Sequence, residues 1–260
     1  MIAALEPAKG TEANLKALTH GLDALRILSE ARAPMTSTQI AERIGLHQSS
    51  ASRILKALAA AGYVRKPDYH SFTVDYGVLA LGSTAVAHFP WVNHPRRAVA
   101  EVAERCAGLS VSLCMLWQNQ IIYFLRAQKG HEPTILGASG FPLHLSSPAL
   151  RLLIDQADNT ALAALNESKR RYGWERPTRR VPESAAACLK AARKLLENDC
   201  LVLEDWQAEN RVTAAIPVEA AEQPRAALAI SGPADELKVE KIVALLHEGR
   251  SAVELAMAPK

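Results

Sequence analysis

The stretch Thr36–Gly62, TSTQIAERIGLHQSSASRILKALAAAG, determines how the rest of this chain is interpreted. It contains two amphipathic helical patterns separated by a short break at Gly45-Leu46. The second pattern has the i, i+3, i+4, i+7 spacing of a buried stripe, which consists of Ala51, Ile54, Leu55 and Leu58. Two helices that meet at a tight glycine turn, the second with a polar and basic outer face, are typical of a helix-turn-helix. The sequence therefore predicts that a helix over about residues 48–61 enters the DNA major groove.

The residues after this stretch predict a β-hairpin. Gly62 suits the left-handed position that ends a helix. The runs Tyr63–Lys66 and Ser71–Val74 then alternate like two short strands on either side of PDYH. A hairpin directly after a recognition helix is a wing. This order favours DNA binding over the alternative, an ordinary pair of helices whose second member has a solvated polar face.

Length and charge predict a DNA-reading module attached to a near-neutral partner domain. A chain of 260 residues suits two domains, and its net charge of +3 excludes a protein that coats nucleic acid with its whole surface. The positive charge is local, because Glu42 and Asp68 are outnumbered between residues 36 and 70 by Arg43, Arg53, Lys56, Arg65 and Lys66.

The sequence predicts four parts: a flexible tail (1–14), a winged helix-turn-helix domain (15–76), a linker helix (77–96) and an effector-binding and oligomerisation domain (97–260). The apolar run Gly77–Phe89 is either a linker and dimer contact or a helix that caps the core of the wing domain. The four cysteines form no CxxC pair and no metal-ligand spacing, so we expect reduced, mostly buried thiols. With no secretory signal or membrane-spanning run recognised, the expectation is a cytoplasmic protein without a membrane partner.

The second half has an α+β pattern. Residues 109–117 and 121–127 predict a strand hairpin, and residues 128–146 predict a glycine- and proline-containing loop. Helical patterns follow over about 147–156, 160–172 and 184–198, then three strands and a C-terminal helix over about 234–256. A sheet of five or more strands flanked by helices could hold a pocket for a small molecule.

Several runs, taken together, resemble the IclR-type bacterial transcription regulators. The N-terminal resemblance rests on LDALRIL (Leu22–Leu28) and on the run Ile40–Val64. The C-terminal resemblance rests on GASGFPLHLSSPALRLLI (Gly137–Ile154) and AISGPADEL (Ala229–Leu237). It implies a winged helix-turn-helix joined to a ligand-binding domain, without enzymatic activity or a cofactor. It also implies homodimers or homotetramers that bind palindromic operators, as repressors or activators, and respond to small carboxylates or aromatic acids.

The resemblance also assigns DNA-binding positions. The base-reading residues would be Gln48, Ser49, Ser50, Ser52 and Arg53, supported through backbone contacts by Lys56, Arg65, Lys66 and His70. Gln can pair bidentately with adenine and Arg with guanine, while Ser reaches a phosphate or a base. For Ser49 and Ser50 an alternative role is to cap the helix N-terminus. Two residues depart from the family pattern: His47 replaces the usual Ser or Pro at the helix start, and Ser71 replaces a basic residue before the wing aromatic.

By the same resemblance, an effector pocket would be lined by Ser112, Gly137, Ala138, Ser146, Ser147, Arg211, Thr213 and Ser231. Hydroxyls, backbone amides at a helix N-terminus and one Arg can hold a carboxylate. Ala149-Leu150 replaces the frequent Gly-Lys of the family, and Thr213 and Asn210 replace a frequent Cys or Ser and a Gly. These departures imply a distinct ligand preference or a weakened response.

Two other classes of function remain open. An enzyme domain fused to a DNA-binding domain would need a catalytic motif, and GxSxG, HExxH, GxGxxG and the phosphate-binding glycine loop are all missing from the sequence. Ser146 and Ser147 lie near His144, but a helix cap explains these serines better than a nucleophile does. A winged-helix module used only for protein interaction is distinguished by DNA affinity with a steep salt dependence.

Overall fold

A computed structural model describes residues 9–138, 140–221 and 223–259, with only the backbone described for 9–15 and 137–138. The chain divides into two compact units, with the division between Ala87 and His88. None of the helices within the described ranges is both long enough and apolar enough to cross a membrane.

The N-terminal unit is a helix-turn-helix with a wing. Its elements are α1 (Lys9–Glu30), β1 (Met35–Thr36), α2 (Ser37–Ile44), α3 (Gln48–Ala60), β2 (Val64–Arg65), β3 (Ser71–Val74) and α4 (Tyr76–Val86). The strands form an antiparallel sheet in the order β1-β3-β2, so the predicted wing gains a third strand that the sequence did not reveal. The predicted tail is wrong for residues 9–14, because α1 begins at Lys9, and residues 1–8 lie outside the described residues.

The turn between α2 and α3 is fixed by local chemistry. Thr36 caps α2 by accepting a hydrogen bond from the Gln39 amide, and the Gln39 side chain accepts one from the Thr36 amide. This reciprocal arrangement is a capping box. Gly45 ends α2 in the left-handed region (φ 70°), which glycine adopts without steric cost. Behind the turn, Ile40 and Leu55 are fully buried in one core cluster with residues of α1 and the wing.

Helix α4 leaves its apolar side chains exposed. Leu79 and Leu81 are 66% and 59% exposed, and no residue of α4 is buried. The alternative in which this segment caps the core of the wing domain is therefore not observed. The helix start is fixed instead by Gly77, whose amide donates to the Gly62 carbonyl at 3.0 Å.

The C-terminal unit is α+β, as predicted. Its elements are α5 (Pro90–Asn93), α6 (Arg96–Glu104), β4 (Ser110–Trp117), β5 (Gln120–Gln128), β6 (His131–Thr134), β7 (Gly137–Ala138), a 3-10 turn (Leu143–Leu145), α7 (Ser147–Leu153), α8 (Asp158–Tyr172), α9 (Ala185–Leu195), β8 (Leu196–Glu197), β9 (Cys200–Glu204), β10 (Arg211–Val218), β11 (Ala226–Pro233) and α10 (Val239–Met257). Seven strands form one antiparallel sheet in the order β6-β5-β4-β11-β10-β9-β8, and β7 also pairs with β5.

Part of the predicted loop over residues 128–146 is wrong, because β6 and β7 lie within it. Both pair with the outer edge of β5, at Arg126–Gln128 and at Ile122–Tyr123. An unpaired strand edge presents a row of free amides and carbonyls, and these two short segments satisfy it.

The two faces of the large sheet are packed differently. Residues paired across adjacent strands lie on the same face. One face is aliphatic and packs against α6 and α10 with side chains that include Val111, Leu125, Ile216 and Leu228. The opposite face packs against α7, α8 and α9. This second face carries the polar residues described below.

All four cysteines are free and buried, as the sequence predicted. Burial raises the pKa of Cys106 and Cys200 to about 11 and that of Cys188 to about 12. Burial also raises the pKa of Cys114. The thiols are therefore protonated at neutral pH and pack as small apolar groups.

Two glycines of α4 give opposite predictions for the same substitution. A Cβ at Gly77 would lie 2.5 Å from the Gly62 carbonyl oxygen, whereas a Cβ at Gly82 would meet nothing within 4 Å. We expect Gly77→Ala to destabilise the N-terminal domain by about 1–3 kcal/mol. Gly82→Ala should stabilise the helix by about 0.5–1 kcal/mol, because alanine loses less backbone entropy.

Denaturant unfolding followed by circular dichroism checks this pair. All four tryptophans lie after residue 88, so their fluorescence reports the other domain separately. Equal stabilities of the two variants would contradict the close approach at Gly77.

Candidate functional site

The N-terminus of α3, the predicted recognition helix, is capped by His47. Its Nδ1 accepts a hydrogen bond from the Ser49 amide at 3.3 Å and lies 2.9 Å from Ser49 Oγ. The predicted alternative, in which Ser49 or Ser50 caps the helix, is therefore wrong. Ser49 Oγ is held beside the cap, while the exposed Gln48 begins the helix.

The outer face of α3 carries cations that no carboxylate neutralises. Arg53 and Lys56 are exposed, and neither forms an ion pair in the part of the chain that is described. Ser50 and Ser52 are half-buried beside them. The opposite face, with Ala51 and Leu55, is buried in the domain core. Of the predicted DNA-binding residues of α3, four are therefore exposed and two are half-buried.

The tip of the wing is organised by Asp68. Its Oδ1 accepts hydrogen bonds from the His70 and Ser71 amides, both at 2.8 Å, and Ser71 Oγ donates to its Oδ2. These hydrogen bonds lower the pKa of Asp68 below its usual 3.8, and the bond from the Ser71 hydroxyl has the largest effect. Ser71, where the family usually has a basic residue, is thus a buried structural partner of the turn.

The basic side chains of the wing differ in their freedom. Arg65 Nε lies 4.0 Å from Asp75 Oδ1, a weak ion pair. Lys66 Nζ donates to the Tyr69 carbonyl at 3.4 Å and lies 4.9 Å from the Phe72 ring centroid. His70 is exposed at the tip, where its backbone amide donates to Asp68 and its ring lies edge-on to Tyr69 at 5.0 Å. Lys66 is therefore folded back over the wing.

In the C-terminal unit, three predicted effector residues lie on one face of the sheet. Thr213 of β10 is directly opposite Ser231 of β11, and Ser231 is opposite Ser110 of β4. Ser112 lies on the same face in the next row, opposite Ala229. These side chains are small, and α7 packs across β4, β9, β10 and β11.

The start of α7 adds two more hydroxyls to this face. Ser146 caps the helix by accepting a hydrogen bond from the Ala149 amide at 3.3 Å. Ser147 Oγ is buried and has no hydrogen-bond partner among the described residues, and the same holds for Thr213 Oγ1. A buried hydroxyl left unpaired is unfavourable, so both atoms mark positions where a bound polar group would be stabilised. Gly137 and Ala138, in β7, pair with β5 beside Tyr123.

Arg126 lies on the same face but was not among the predicted effector residues. This residue of β5 is paired with Ser112, and its Nη2 donates to Ser110 Oγ at 3.1 Å. No carboxylate forms an ion pair with Arg126 within the described ranges. Tyr123, nearby on β5, is hydrogen-bonded to the Ser146 side chain, and burial raises the pKa of its phenol well above the usual value. The available signal was a charged residue within the otherwise apolar strand IIYFLRA.

Arg211, the predicted cation of the pocket, lies elsewhere on this face. It is opposite Pro233, one row beyond Thr213 on the side away from Ser112. Its Nε donates to Gln207 Oε1 at 3.2 Å, and Gln207 Nε2 donates to the Leu145 carbonyl at 2.9 Å. Gln207 therefore links Arg211 to the turn that precedes α7.

Comparison with known proteins agrees with this arrangement. The family model of the IclR helix-turn-helix domain matches residues 17–68. The structure of an IclR family transcriptional regulator from Brucella abortus superposes with a TM-score of 0.77 at 19% identity, covering 98% of this chain and 96% of that one. Residues 17–68 thus match the IclR helix-turn-helix, and the chain as a whole has the fold of these solved regulators.

Two further proteins are similar over different lengths. A p-hydroxybenzoate hydroxylase transcriptional activator from Acinetobacter baylyi is 29% identical over 141 residues, which span 53% of this chain and 49% of that relative. The chain thus matches about half the length of this curated relative. An IclR homolog from Microbacterium hydrocarbonoxydans complexed with 4-hydroxybenzoate has a TM-score of 0.65 at 20% identity, covering 93% of this chain and 98% of that one.

His144 and Ser146, two of the residues that suggested a nucleophile, make structural contacts. The His144 Nε2 donates to the Glu175 carbonyl at 2.8 Å, and the ring stacks on Trp174 at 4.0 Å. Burial lowers the pKa of His144, which keeps the ring neutral. Ser146 caps α7, as the sequence predicted.

The role of Asp68 in the wing gives a prediction. Because its pKa is lowered in the folded state, the carboxylate contacts should be intact above pH 3.8 and lost as the pH falls through the lower folded pKa. An NMR titration of the Asp68 carboxyl carbon should give a midpoint below 3.8. At neutral pH, Asp68→Ala should accelerate hydrogen exchange of the His70 and Ser71 amides, whereas Asp23→Ala, in α1, should not. An unchanged exchange rate in Asp68→Ala would show that the turn does not depend on this carboxylate.

Proposed function

We propose that this IclR-type regulator reads a palindromic operator with α3 and senses a small organic anion on the polar face of its large sheet. The observation that carries the DNA half is the unpaired Arg53–Lys56 surface of α3, within a segment that matches the IclR helix-turn-helix model. Unpaired cations release condensed counterions from phosphates when they bind, and this release supplies much of the affinity of proteins for DNA.

Residues of α3 divide between base reading and positioning. Arg53 can donate two hydrogen bonds to guanine, and Gln48, exposed at the start of the helix, can pair with adenine. The α3 N-terminus carries the positive end of the helix dipole, which favours a phosphate nearby. Lys56, Arg65 and His70 would then contact the backbone, while Lys66 must first leave the Phe72 ring and the Tyr69 carbonyl.

A dimer would place two recognition helices about one DNA turn, roughly 34 Å, apart. The exposed Leu79 and Leu81 of α4 support self-association, because such side chains gain stability when an interface covers them. Effector binding would change operator affinity through the segment that joins the two domains, and such coupling is typically about 1–3 kcal/mol.

The DNA half of the proposal is tested with Arg53→Ala. If Arg53 reads a base, we expect operator affinity to fall by about 1–3 kcal/mol, whereas Lys56→Ala should lower the salt dependence of binding by about one counterion. The measurement is fluorescence anisotropy with the upstream intergenic DNA over a salt series. Arg32→Ala, an exposed arginine before β1, is the matched control. Weak binding that is the same for different DNA sequences and is unchanged in Arg53→Ala would favour a module for protein interaction.

The effector half rests on the hydroxyls of Ser147 and Thr213 and on the guanidinium of Arg126, which donates to Ser110 Oγ and has no carboxylate partner in the described residues. These groups lie at the start of α7 and on one face of the sheet, where a hydroxyl or the guanidinium can donate to a carboxylate. Two relatives associated with hydroxybenzoate, one by its name and one by its bound ligand, support an aromatic acid. We therefore infer that 4-hydroxybenzoate is a suitable first probe.

Arg126→Gln tests this assignment. Removing the guanidinium should weaken 4-hydroxybenzoate binding by about tenfold or more, since a charge-assisted hydrogen bond is roughly twice as strong as a neutral one. Isothermal titration calorimetry gives the affinity. Arg97→Gln removes an exposed arginine of α6, which packs against the opposite face, and should leave binding unchanged. Equal effects of the two substitutions would contradict a role of Arg126 in ligand recognition.

A further inference from the structure

A cleft between α8 and α9 lies apart from the polar sheet face. It has a volume of about 440 Å³ and is lined by Asp158 and Leu162 of α8 and by Ala186, Leu189, Lys190, Arg193 and Lys194 of α9. The α9 residues recur at helical spacing and form one stripe. None of the cleft residues belongs to the set described above for the effector.

The floor of this cleft is apolar. Leu189 is buried in the core of the C-terminal unit, and Leu162 packs against that core. Ala186 is exposed within the stripe and contributes only a methyl group. A hydrophobic body could therefore enter the cleft without displacing a large side chain.

The rim of the cleft is basic. Arg193 is paired with Asp158 across the cleft, which cancels one charge of each sign. Lys190 and Lys194 are exposed and have no ion-pair partner in the described ranges. They stand one turn apart on α9, so both ammonium groups can reach one bound anion. The net charge of the lining is therefore positive.

We propose that this cleft is a second ligand site, which binds an organic anion with an aromatic or aliphatic body. The apolar floor would hold the body and the two lysines the anionic group, while the Arg193–Asp158 pair closes the end. The volume is in the range of small-molecule pockets. It is too small for a partner helix, since a helix with its side chains is about 10 Å in diameter. The cleft shares no lining residue with the effector site proposed for the sheet face.

The probe is 1-anilinonaphthalene-8-sulfonate, which combines an aromatic body with one negative charge and fluoresces when it leaves water. Wild-type protein should bind it in a saturable way. Ala186→Phe, which fills the cleft, and Lys190→Glu with Lys194→Glu, which reverses the charge of the rim, should each weaken binding by about tenfold, the effect of losing one strong contact.

Matched controls keep the test specific. Ala187→Phe places the same ring on the neighbouring exposed position of α9, outside the cleft, and should bind as wild type does. Lys129→Glu with Lys238→Glu makes the same change in net charge elsewhere, and Arg126→Gln alters the sheet face; neither should affect the cleft. Near-UV circular dichroism verifies native packing, because partly folded states also bind this dye. Equal binding by Ala186→Phe and Ala187→Phe, or loss of binding in Arg126→Gln, would overturn the proposal.

Discussion

The position of α7 on the sheet depends on one buried guanidinium, that of Arg151. This side chain is only 2% exposed, and its nitrogens donate to the Asp199 carbonyl at 2.7 Å, to Asp155 at 2.6 Å and to the Asp199 carboxylate at 3.3 Å. A buried charge that lost a partner would cost about 3–5 kcal/mol, so the helix is held where both carboxylates can reach it. Since α7 has only seven residues, fixing its last turn also fixes its first. The hydroxyls of Ser146 and Ser147 consequently meet the sheet at a defined place.

The face that α7 covers has a composition that packing alone does not favour. The opposite face is filled with branched aliphatic side chains, which bury well against α6 and α10. Under α7 the sheet instead carries Ser112, Thr213 and Ser231, and two buried hydroxyls there have no partner within the described part of the chain. Each unpaired buried hydroxyl costs about 1–3 kcal/mol, which a valine at position 213 would avoid. A bound polar molecule would satisfy these hydroxyls, and this supports the effector site proposed for this face.

Most of the fold was predictable because its signals are local, whereas the missed features depend on distant partners. The helix-turn-helix was predicted by periodicity, and Gly45 and Gly62 take the left-handed conformations expected of helix-ending glycines. Residues 131–134 gave no strand signal, since HEPT lacks alternation and becomes β6 only because β5 offers a free edge. Of the predicted effector residues, Ser112, Thr213 and Ser231 do share a face, but pairing with Arg126 depends on a strand register shifted by a bulge after Leu113. His47 was also missed as a cap, because histidine is not among the residues that usually cap helices.

The distribution of ion pairs explains how a chain with a net charge of only +3 can present a DNA-binding surface. In the C-terminal unit, arginines such as Arg151, Arg225 and Arg250 are matched with carboxylates, so their charges contribute little field beyond the surface. On α3, by contrast, Arg53 and Lys56 project into solvent with no acidic neighbour in the described residues. Their field is screened by salt over about 10 Å, a distance comparable with the width of the DNA major groove, about 12 Å. What matters for binding is therefore where positive charge is left unpaired, and on this chain the recognition helix is such a place.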